Sequence, residues 1–428
     1  MRLRSLALPF LASMVVLGPN LRRATAQIVP PFPTGSFPPV SWPTIPPVAT
    51  TAPTPTTVTS AKTGPYVRGA DYALTAKTTA PKTSLLAAAT PFPRFAPDGK
   101  ALLLAGATTR LGSLTAPLGV VLKGTRGYRS AWSPDSKNVV TSDEDGQLVV
   151  WAVPTGKEVR RIDDAFKQMG SVGSGKYWAA EVGFPDAKTV LFHSGCRLKK
   201  LDLSTTGAAP VALGLADKCG RPQVSQDGKR WVLLEQGAKQ NYGIGLWYSR
   251  AYSIDTTTGA HTSFLDESKV GAFTDVQLSP TGDRLCFVHT TRKVSCVTVA
   301  DGKVDDVSEG PADRWLGFDN AGMHLLYADD NAKDKSLHHV DFAARTVRRV
   351  AKVSVGVTDW KAFAGDRRLI AYGHDGGTIY DLDKLWSQPV FPKVEVEGFA
   401  PVPGDPSRAI LGKASGPSRD LYWLTVSD

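Results

Sequence analysis

The chain has 428 residues, of which 42% are hydrophobic and 21% charged, and it contains 40 glycines. This composition is typical of a turn-rich all-β protein. The formal net charge of +10 would suit a nucleic-acid-binding protein, but residues 1–70 hold six of the 50 basic residues and none of the 40 acidic ones. The remainder is nearly balanced in charge and has no obvious phosphate-binding stripe, so we expect no nucleic-acid partner.

The first 26 residues have the pattern of a secretory signal peptide. Arg2 and Arg4 precede the apolar run Leu6–Gly18, and Ala24–Ala26 offers a small-x-small cleavage site. A membrane anchor is the alternative, but an apolar run of about 13 residues interrupted by Pro9 is too short to span a bilayer. We therefore predict an exported protein, periplasmic or extracellular, with no stable membrane insertion.

Residues 27–64 form a linker rich in proline and threonine. Within it, Ile28–Lys62 contains no acidic residue, and its prolines fix φ and remove backbone donors, so the segment cannot build a core. It is predicted to be disordered. A binding segment for a proline-recognising partner, or an arm that crosses the cell wall, is the alternative.

Residues 132–163 contain a pattern of short strands separated by turns. An apolar entry at Arg129–Trp132 meets a Ser-Pro-Asp turn, and the β-branched run Asn138–Ser142 follows. Asp145-Gly146 and Thr155-Gly156 then provide the positive φ of two further tight turns. One such meander of about 40 residues cannot bury both of its faces, so it must stack against copies of itself.

Copies of the first turn recur along the chain roughly 37 to 54 residues apart, which is the length of a four-stranded propeller blade. They are FAPDGK from Phe95, WSPDSK from Trp132, GFPDAK from Gly183, VSQDGK from Val224, LSPTGD from Leu278, FDNAGM from Phe318, FAGDRR from Phe363 and VPGDPS from Val402. Eight turns predict a single all-β propeller of about eight four-stranded blades over residues 65–428. Seven blades are the alternative.

The end of the last copy indicates how such a ring closes. The spacing of the turns makes Leu421–Ser427 the third strand of its blade. A closed ring leaves no unpaired edge, so another segment must supply the fourth strand. Tyr66–Lys77 has strand-like alternation and precedes the first turn, and it is the predicted closing strand.

The S-P-D-G-K turn, followed by an apolar strand and a T-G-K turn, resembles the WD-like repeat of bacterial TolB-type propellers. The resemblance runs from Phe95 to the C-terminus and implies a propeller fold and interaction work in the periplasm. The chain departs from that family because it has no recognisable α/β domain before the repeats and about eight units in place of six. The identity of a partner is therefore not carried over.

Four cysteines in an exported chain are expected to pair. Cys286 and Cys296 lie symmetrically about Thr291, so a hairpin there places them opposite each other. Cys196 is expected between the second and third strands of its blade, and Cys219 between that blade and the next, on the same face of the ring. We predict disulfides Cys286–Cys296 and Cys196–Cys219; four free buried thiols are the alternative.

No catalytic, cofactor or metal site is predicted. Residues 170–177, GSVGSGKY, match a phosphate loop except for Tyr177 at the position of the magnesium-binding hydroxyl, and a strand candidate follows where a helix is needed. The seven histidines form no H-E-x-x-H motif, and no G-x-S-x-G nucleophile elbow occurs. A propeller can still gather metal ligands from several blades in its central channel, so a channel metal is an alternative.

The longest departure from the repeat, Gln236–Tyr252, carries the candidate binding surface. Aromatic side chains and an arginine on a loop are typical anchors for a partner. The candidates are Tyr242, Trp247, Tyr248 and Arg250. Because LWYSRAYSI also alternates as a strand, an ordinary third strand is the alternative for Trp247–Tyr252, and Tyr242 is the best candidate for exposure.

These features predict an exported, monomeric, non-enzymatic propeller that binds a protein or a cell-envelope component. A channel-metal hydrolase or lactonase is one alternative. A quinoprotein-like oxidoreductase is another, but its repeats resemble A-x-D-x-x-T-G-x-x-x-W, and here WAVPTGKEVR places Arg160 where the locking tryptophan would stand.

Overall fold

The computed structural model describes residues 64–78, 81–88, 93–105, 108–124, 129–143, 146–163, 165, 181–194, 197–213, 220–236, 247–308, 311–319, 321–329, 335–353, 357–362, 367–403, 405–415 and 418–426. All of them belong to one compact unit that spans Thr59–Asp428. The predicted signal peptide, residues 27–63, residues 170–177, Cys196, Cys219 and Tyr242 lie outside them. Within these ranges, no helix has the length and apolar character needed to cross a membrane.

Three short strands come first, and they are β1 (Val67–Arg68), β2 (Thr75–Ala76) and β3 (Lys82–Ala88). The strands that follow form antiparallel meanders, which we number as units 1 to 8 in chain order. Units 1 to 3 consist of β4 (Pro93–Phe95), β5 (Ala101–Leu104), β6 (Arg110–Ser113) and β7 (Val120–Val121); β8 (Arg129–Trp132), β9 (Asn138–Ser142), β10 (Leu148–Ala152) and β11 (Lys157–Ile162); and β12 (Val182–Gly183), β13 (Thr189–Ser194), β14 (Arg197–Asp202) and β15 (Val211–Leu213).

Units 4 and 5 flank a short helix, α1 (Glu267–Val270). Their strands are β16 (Arg221–Val224), β17 (Trp231–Gln236), β18 (Tyr248–Ile254) and β19 (His261–Asp266), then β20 (Phe273–Leu278), β21 (Arg284–His289), β22 (Val294–Thr298) and β23 (Val304–Asp306). Units 6 to 8 consist of β24 (Ala312–Phe318), β25 (His324–Asp329), β26 (Ser336–Asp341) and β27 (Thr346–Lys352); β28 (Val357–Ala362), β29 (Arg368–Gly373), β30 (Gly376–Asp381) and β31 (Trp386–Val390); and β32 (Val396–Pro401), β33 (Arg408–Ser415) and β34 (Ser418–Thr425).

Hydrogen bonds group the described strands into seven sheets. Six of the sheets hold one unit each, and the seventh has eight strands because the pair Tyr248–Phe273 joins units 4 and 5. Unit 6 gains β1 and unit 7 gains β2 as short parallel strands at the outer edge. Unit 8 has three strands of its own and gains β3 as its fourth.

The recurrent turn motif works through its serine, its aspartate and its positive-φ residue. In unit 2 the Ser133 hydroxyl donates to Asp135 at 2.7 Å and accepts from the Asn138 N–H at 2.9 Å. Ser136 takes the left-handed conformation, with φ 59°. In unit 4, Gly228 has φ 73°, and a Cβ there would also lie 2.3 Å from the Phe184 carbonyl oxygen. The motif therefore fixes the first turn and seats it against the preceding unit.

The core lies in layers between neighbouring units. Each described unit shares a cluster of buried side chains with the next; between units 2 and 3, for example, Val150 packs with Phe192. The last layer joins unit 8 to unit 1 through Leu102, Leu104 and Ile410. The first strands of neighbouring units also contact one another, including β32 with β4. The units therefore form a closed ring with the first strands at its axis, which is the arrangement of a β-propeller.

An N-terminal strand closes the ring, as expected, but the predicted segment was wrong. β3 pairs antiparallel with β34, from Lys82 opposite Thr425 to Ala88 opposite Asp420. The segment 66–77 instead runs along the outer edges of units 6 and 7. The physical reason is the connection to the first unit, because β3 leaves four residues before β4 while Lys77 would leave a long loop.

Side-chain contacts hold Tyr66–Lys77, which we call the strap, on the rim. The Tyr72 hydroxyl lies 3.0 Å from His339 Nδ1, and Tyr72 is only 8% exposed. The Arg348 guanidinium stacks over the Tyr72 ring at 3.9 Å, and the Lys77 ammonium lies 3.9 Å from the Trp386 ring. These cation–π contacts add to the short parallel pairings.

The disulfide Cys286–Cys296 is present, as predicted. The two residues stand directly opposite each other on β21 and β22, with a Cα–Cα distance of 4.0 Å. Both are buried, so the bridge lies inside unit 5. The predicted pair Cys196–Cys219 lies outside the described residues.

Candidate functional site

A cavity of about 1070 Å³ runs along the axis of the ring. Its walls are the first strands and first turns of units 1 to 5 and of unit 8, for example Phe95, Trp132, Phe184 and Phe399. Prolines of the turn motifs line it as well, among them Pro97. The cavity therefore combines apolar and aromatic side chains with polar and charged ones, among them Arg94, Glu181 and Asp227, as is typical of ligand sites.

Arg94 is the basic side chain in this lining. It is the middle residue of β4, and its Nη1 donates to the Ser130 carbonyl oxygen of unit 2 at 2.6 Å. Burial lowers the pKa of Arg94, with Glu181 opposing the shift and Arg129 adding to it. The side chain is nevertheless exposed to solvent. Arg94 is thus surrounded by protein and still reached by solvent, so it lies in a water-accessible cavity.

A single carboxylate lies near two guanidinium groups at this place. Glu181 also lines the cavity, and its Oε1 lies 3.3 Å from Arg129 Nη1. Arg94, Glu181 and the neighbouring Arg129, which lies outside the lining, together carry one excess positive charge, whereas the second carboxylate of the lining, Asp227, belongs to the first turn of unit 4. This part of the cavity is thus suited to an anionic group.

Sequence reasoning missed Arg94, although the repeat contains a usable signal. In each of units 1, 2, 4, 5, 6 and 8, one backbone N–H closes the first turn, and Arg94 stands two residues before that of Ala96. The equivalent residues are Ala131, Gln223, Gln277, Gly317 and Ala400. Arg94 is the charged residue of that set, and alignment on the turn would have revealed it.

The structure places some, but not all, of the residues of the predicted binding surface at the surface of the protein. Tyr242 lies outside the described residues. Tyr248 is 3% exposed and packs its ring 6.1 Å from that of Phe273, so it belongs to the core and leaves the candidate surface. Trp247 is half-buried. The strand alternative is correct for Tyr248–Ile254, which is β18.

Arg250 is exposed, but carboxylates surround it. Its Nε donates to Asp266 at 2.6 Å, and its Nη1 lies 3.9 Å from Glu235. The bond to Asp266 raises the pKa of Arg250. Hydrogen bonds from the Ser268 N–H and from Arg250 lower the pKa of Asp266 to about 2. The positive charge of Arg250 is therefore largely compensated by these two carboxylates, which makes Arg250 a poor anchor for an anionic ligand.

A serine, a histidine and an aspartate come together in unit 5 without forming a catalytic triad. The Ser295 hydroxyl donates to Asp306 at 2.5 Å and lies 2.5 Å from His289 Nε2. His289 Nδ1 contacts the Val270 carbonyl oxygen at the end of α1. The serine thus stands between the other two and is fully buried, where a nucleophile must face substrate. The cluster ties α1 to the strands of unit 5.

His193, His324 and His339 occupy structural positions inside the protein. Burial, and then His324, lowers the pKa of His339 to about 3, and burial lowers the pKa of His193 to about 4. The His324 and His339 rings stack with centroids 4.7 Å apart. Among the residues that the structure describes, no three His, Cys, Asp or Glu side chains lie close enough to share a metal ion.

Comparisons with known proteins find similarity to solved structures alone. No family model matches the chain, and no curated protein matches it. The solved β-propeller domain of Cps50 (Swd1) from Myceliophteria thermophila is similar, with 14% identity, a TM-score of 0.47, and coverage of 82% of this chain and 99% of that one. An oligogalacturonate lyase in complex with manganese has 13% identity, a TM-score of 0.52, and coverage of 86% and 98%.

The likeness to the lyase structure concerns the fold alone, because the sequences are so distant. Together with the sheets and the closed core, it makes the chain a β-propeller. The likeness to TolB-type repeats remains a resemblance of the turn motif.

Proposed function

We propose that this protein is an exported, non-enzymatic β-propeller of eight blades, one for each unit, that binds a protein or a cell-envelope component at its axial cavity. The observation that carries the proposal is the cavity itself, because six units supply its walls and a solvent-accessible cluster of charged side chains lies at them. Such a site combines an apolar surface for affinity with few polar groups for orientation.

The disulfide inside unit 5 supports export. Structural disulfides persist in oxidising compartments and are rare in the cytosol, and Cys286 and Cys296 pair in the core. N-terminal sequencing of the mature protein tests this part. A mature chain that begins at Gln27 is expected, and an uncleaved cytosolic chain would contradict it.

Blocking the cavity mouth tests the binding role. Gln226 is exposed and lines the cavity, whereas Lys229, in the same turn, is exposed and lies away from it. We expect Gln226→Trp to abolish the capture of an envelope component that wild type retains. Lys229→Trp should capture it normally, and both variants should melt like wild type.

Two results would replace the proposal. Equal capture by wild type and Gln226→Trp would move the binding site away from the cavity. Stoichiometric metal or a quinone-like absorption in the purified protein, with turnover of a substrate, would make it an enzyme.

A further inference from the structure

We propose that Arg94 anchors the carboxylate of a monoanionic ligand inside the axial cavity. This inference rests on the proposed binding role and names the chemical class of the ligand. A guanidinium presents five N–H donors in a planar fork that matches a carboxylate. One of the donors of Arg94 is held by the Ser130 carbonyl oxygen, so the side chain is fixed across the boundary between units 1 and 2.

Arg94 is not required by the repeat, because other units carry uncharged residues at the same position, and this points to a role in recognising a ligand. At the equivalent place the described units carry uncharged residues, two of which are Ala131 and Ala400. Both of these alanines also line the cavity, and their small side chains leave room beside Arg94. A ligand can therefore approach the guanidinium without displacing a neighbouring side chain.

The local charge favours one negative charge on the ligand. Glu181 already engages Arg129 at 3.3 Å, Arg94 is the cation of the lining, and Asp227 on the first turn of unit 4 is its further carboxylate. One ligand carboxylate would neutralise Arg94. A phosphate dianion would bring a second charge into an apolar cavity and next to Glu181, and desolvation opposes that.

The walls around Arg94 determine the rest of the ligand. Phe95 and Trp132 line the same cavity from the first strands of units 1 and 2, and Phe399 lines it from the first strand of unit 8. Aromatic faces bind flat or apolar groups. The expected ligand thus has a carboxylate and an apolar or planar body.

Matched probes test the inference on the full-length protein at pH 8. Binding of benzoate, benzyl alcohol and inorganic phosphate is measured by ligand-observed NMR titration. Wild type is expected to bind benzoate at least tenfold more tightly than either of the other two. Arg94→Gln should weaken benzoate at least tenfold and change benzyl alcohol less than twofold. Arg94→Lys, which keeps the charge, should recover part of the loss.

Arg221→Gln is the matched control, because Arg221 is an exposed arginine on the first strand of unit 4 and does not line the cavity. It should bind benzoate like wild type. Equal benzoate binding by wild type and Arg94→Gln, or tighter binding of phosphate than of benzoate, would overturn the inference. The capture of an envelope component is measured separately. If Gln226→Trp abolishes that capture and Arg94→Gln does not change benzoate binding, the proposed function holds and only the role of Arg94 is refuted.

Discussion

The outer rim of the ring protects its sheet edges differently in units 6 to 8 and in units 1 to 3. In units 6 to 8 the N-terminal segment pairs with the outermost strand, in parallel through β1 and β2 and antiparallel through β3. In units 1 and 3 the outermost strands, β7 and β15, have two and three residues. β11 of unit 2 is longer and rich in basic residues.

The difference shows two answers to one problem. An exposed sheet edge invites pairing with another chain, and proteins either cover it or make it short or charged. The strap and β3 cover three consecutive edges with one continuous segment. The outer edges of units 1 to 3 are instead short, as β7 and β15 are, or charged, as β11 is.

The largest effect is expected from removing the segment 64–88. Unit 8 would lose β3, and its β34 edge would become unpaired, so the truncated protein should aggregate or fail to give a cooperative melting transition. Removing residues 28–62 should change neither property. Size-exclusion chromatography and thermal unfolding measure both, and similar behaviour of the two deletions would contradict the closure by β3.

Tyr72→Ala should have the next largest effect. It removes a buried ring, the contact of the Tyr72 hydroxyl with His339 and the stacking of the Tyr72 ring with the Arg348 guanidinium. A loss of about 3 kcal/mol in the free energy of unfolding is expected, as for other buried aromatic side chains. Val211→Ala on the uncovered rim is the control; Val211 is 63% exposed, and its change should stay within about 0.5 kcal/mol. Denaturant unfolding decides, and equal losses would contradict the role of the strap.

The double variant Cys286→Ala/Cys296→Ala removes the disulfide within unit 5, and its effect is compared with that of loosening the strap on units 6 and 7. The bridge spans a sequence separation of 10. The short loop predicts a loss of about 2–3 kcal/mol in the free energy of unfolding. Limited proteolysis should find the cuts concentrated in unit 5, with the strap still protected. Release of the strap in this variant would show that the two regions are coupled.

The smallest effect concerns acid. Burial lowers the pKa of His339 to about 3, below the ordinary value of 6.5, so the folded state holds this imidazole neutral. As the pH falls below 6.5 the unfolded chain binds a proton that the folded chain does not, and stability decreases by up to about 1.4 kcal/mol per pH unit until the folded pKa is reached. Urea unfolding at pH 7 and pH 5 should show a smaller difference in His339→Gln than in wild type. An unchanged difference would show that His339 does not cause the loss of stability in acid.

The meanders and one disulfide could be predicted from the sequence because they depend on interactions between residues that are close together in the chain. The Ser133-Pro134-Asp135 turn and its copies predicted the meanders, and the symmetry of Cys286 and Cys296 predicted their bridge. The strap was assigned to the wrong edge because Tyr72 is held by Arg348 and His339, which lie far away in sequence and leave no periodic signal. Tyr248 was offered as a surface residue although its alternation also fitted a strand. Arg94 was missed because its meaning depends on comparison with other units.

Site-specific photo-crosslinking shows most directly whether the axial cavity is the binding site. A photoreactive residue is placed at Gln226, at the cavity mouth, or at Lys229 in the same turn, and the protein is exposed to envelope extract. A crosslinked product is expected from position 226, lost on addition of unlabelled wild type, and none is expected from position 229. A product from position 229 alone, or equal products from both, would contradict binding at the axial cavity.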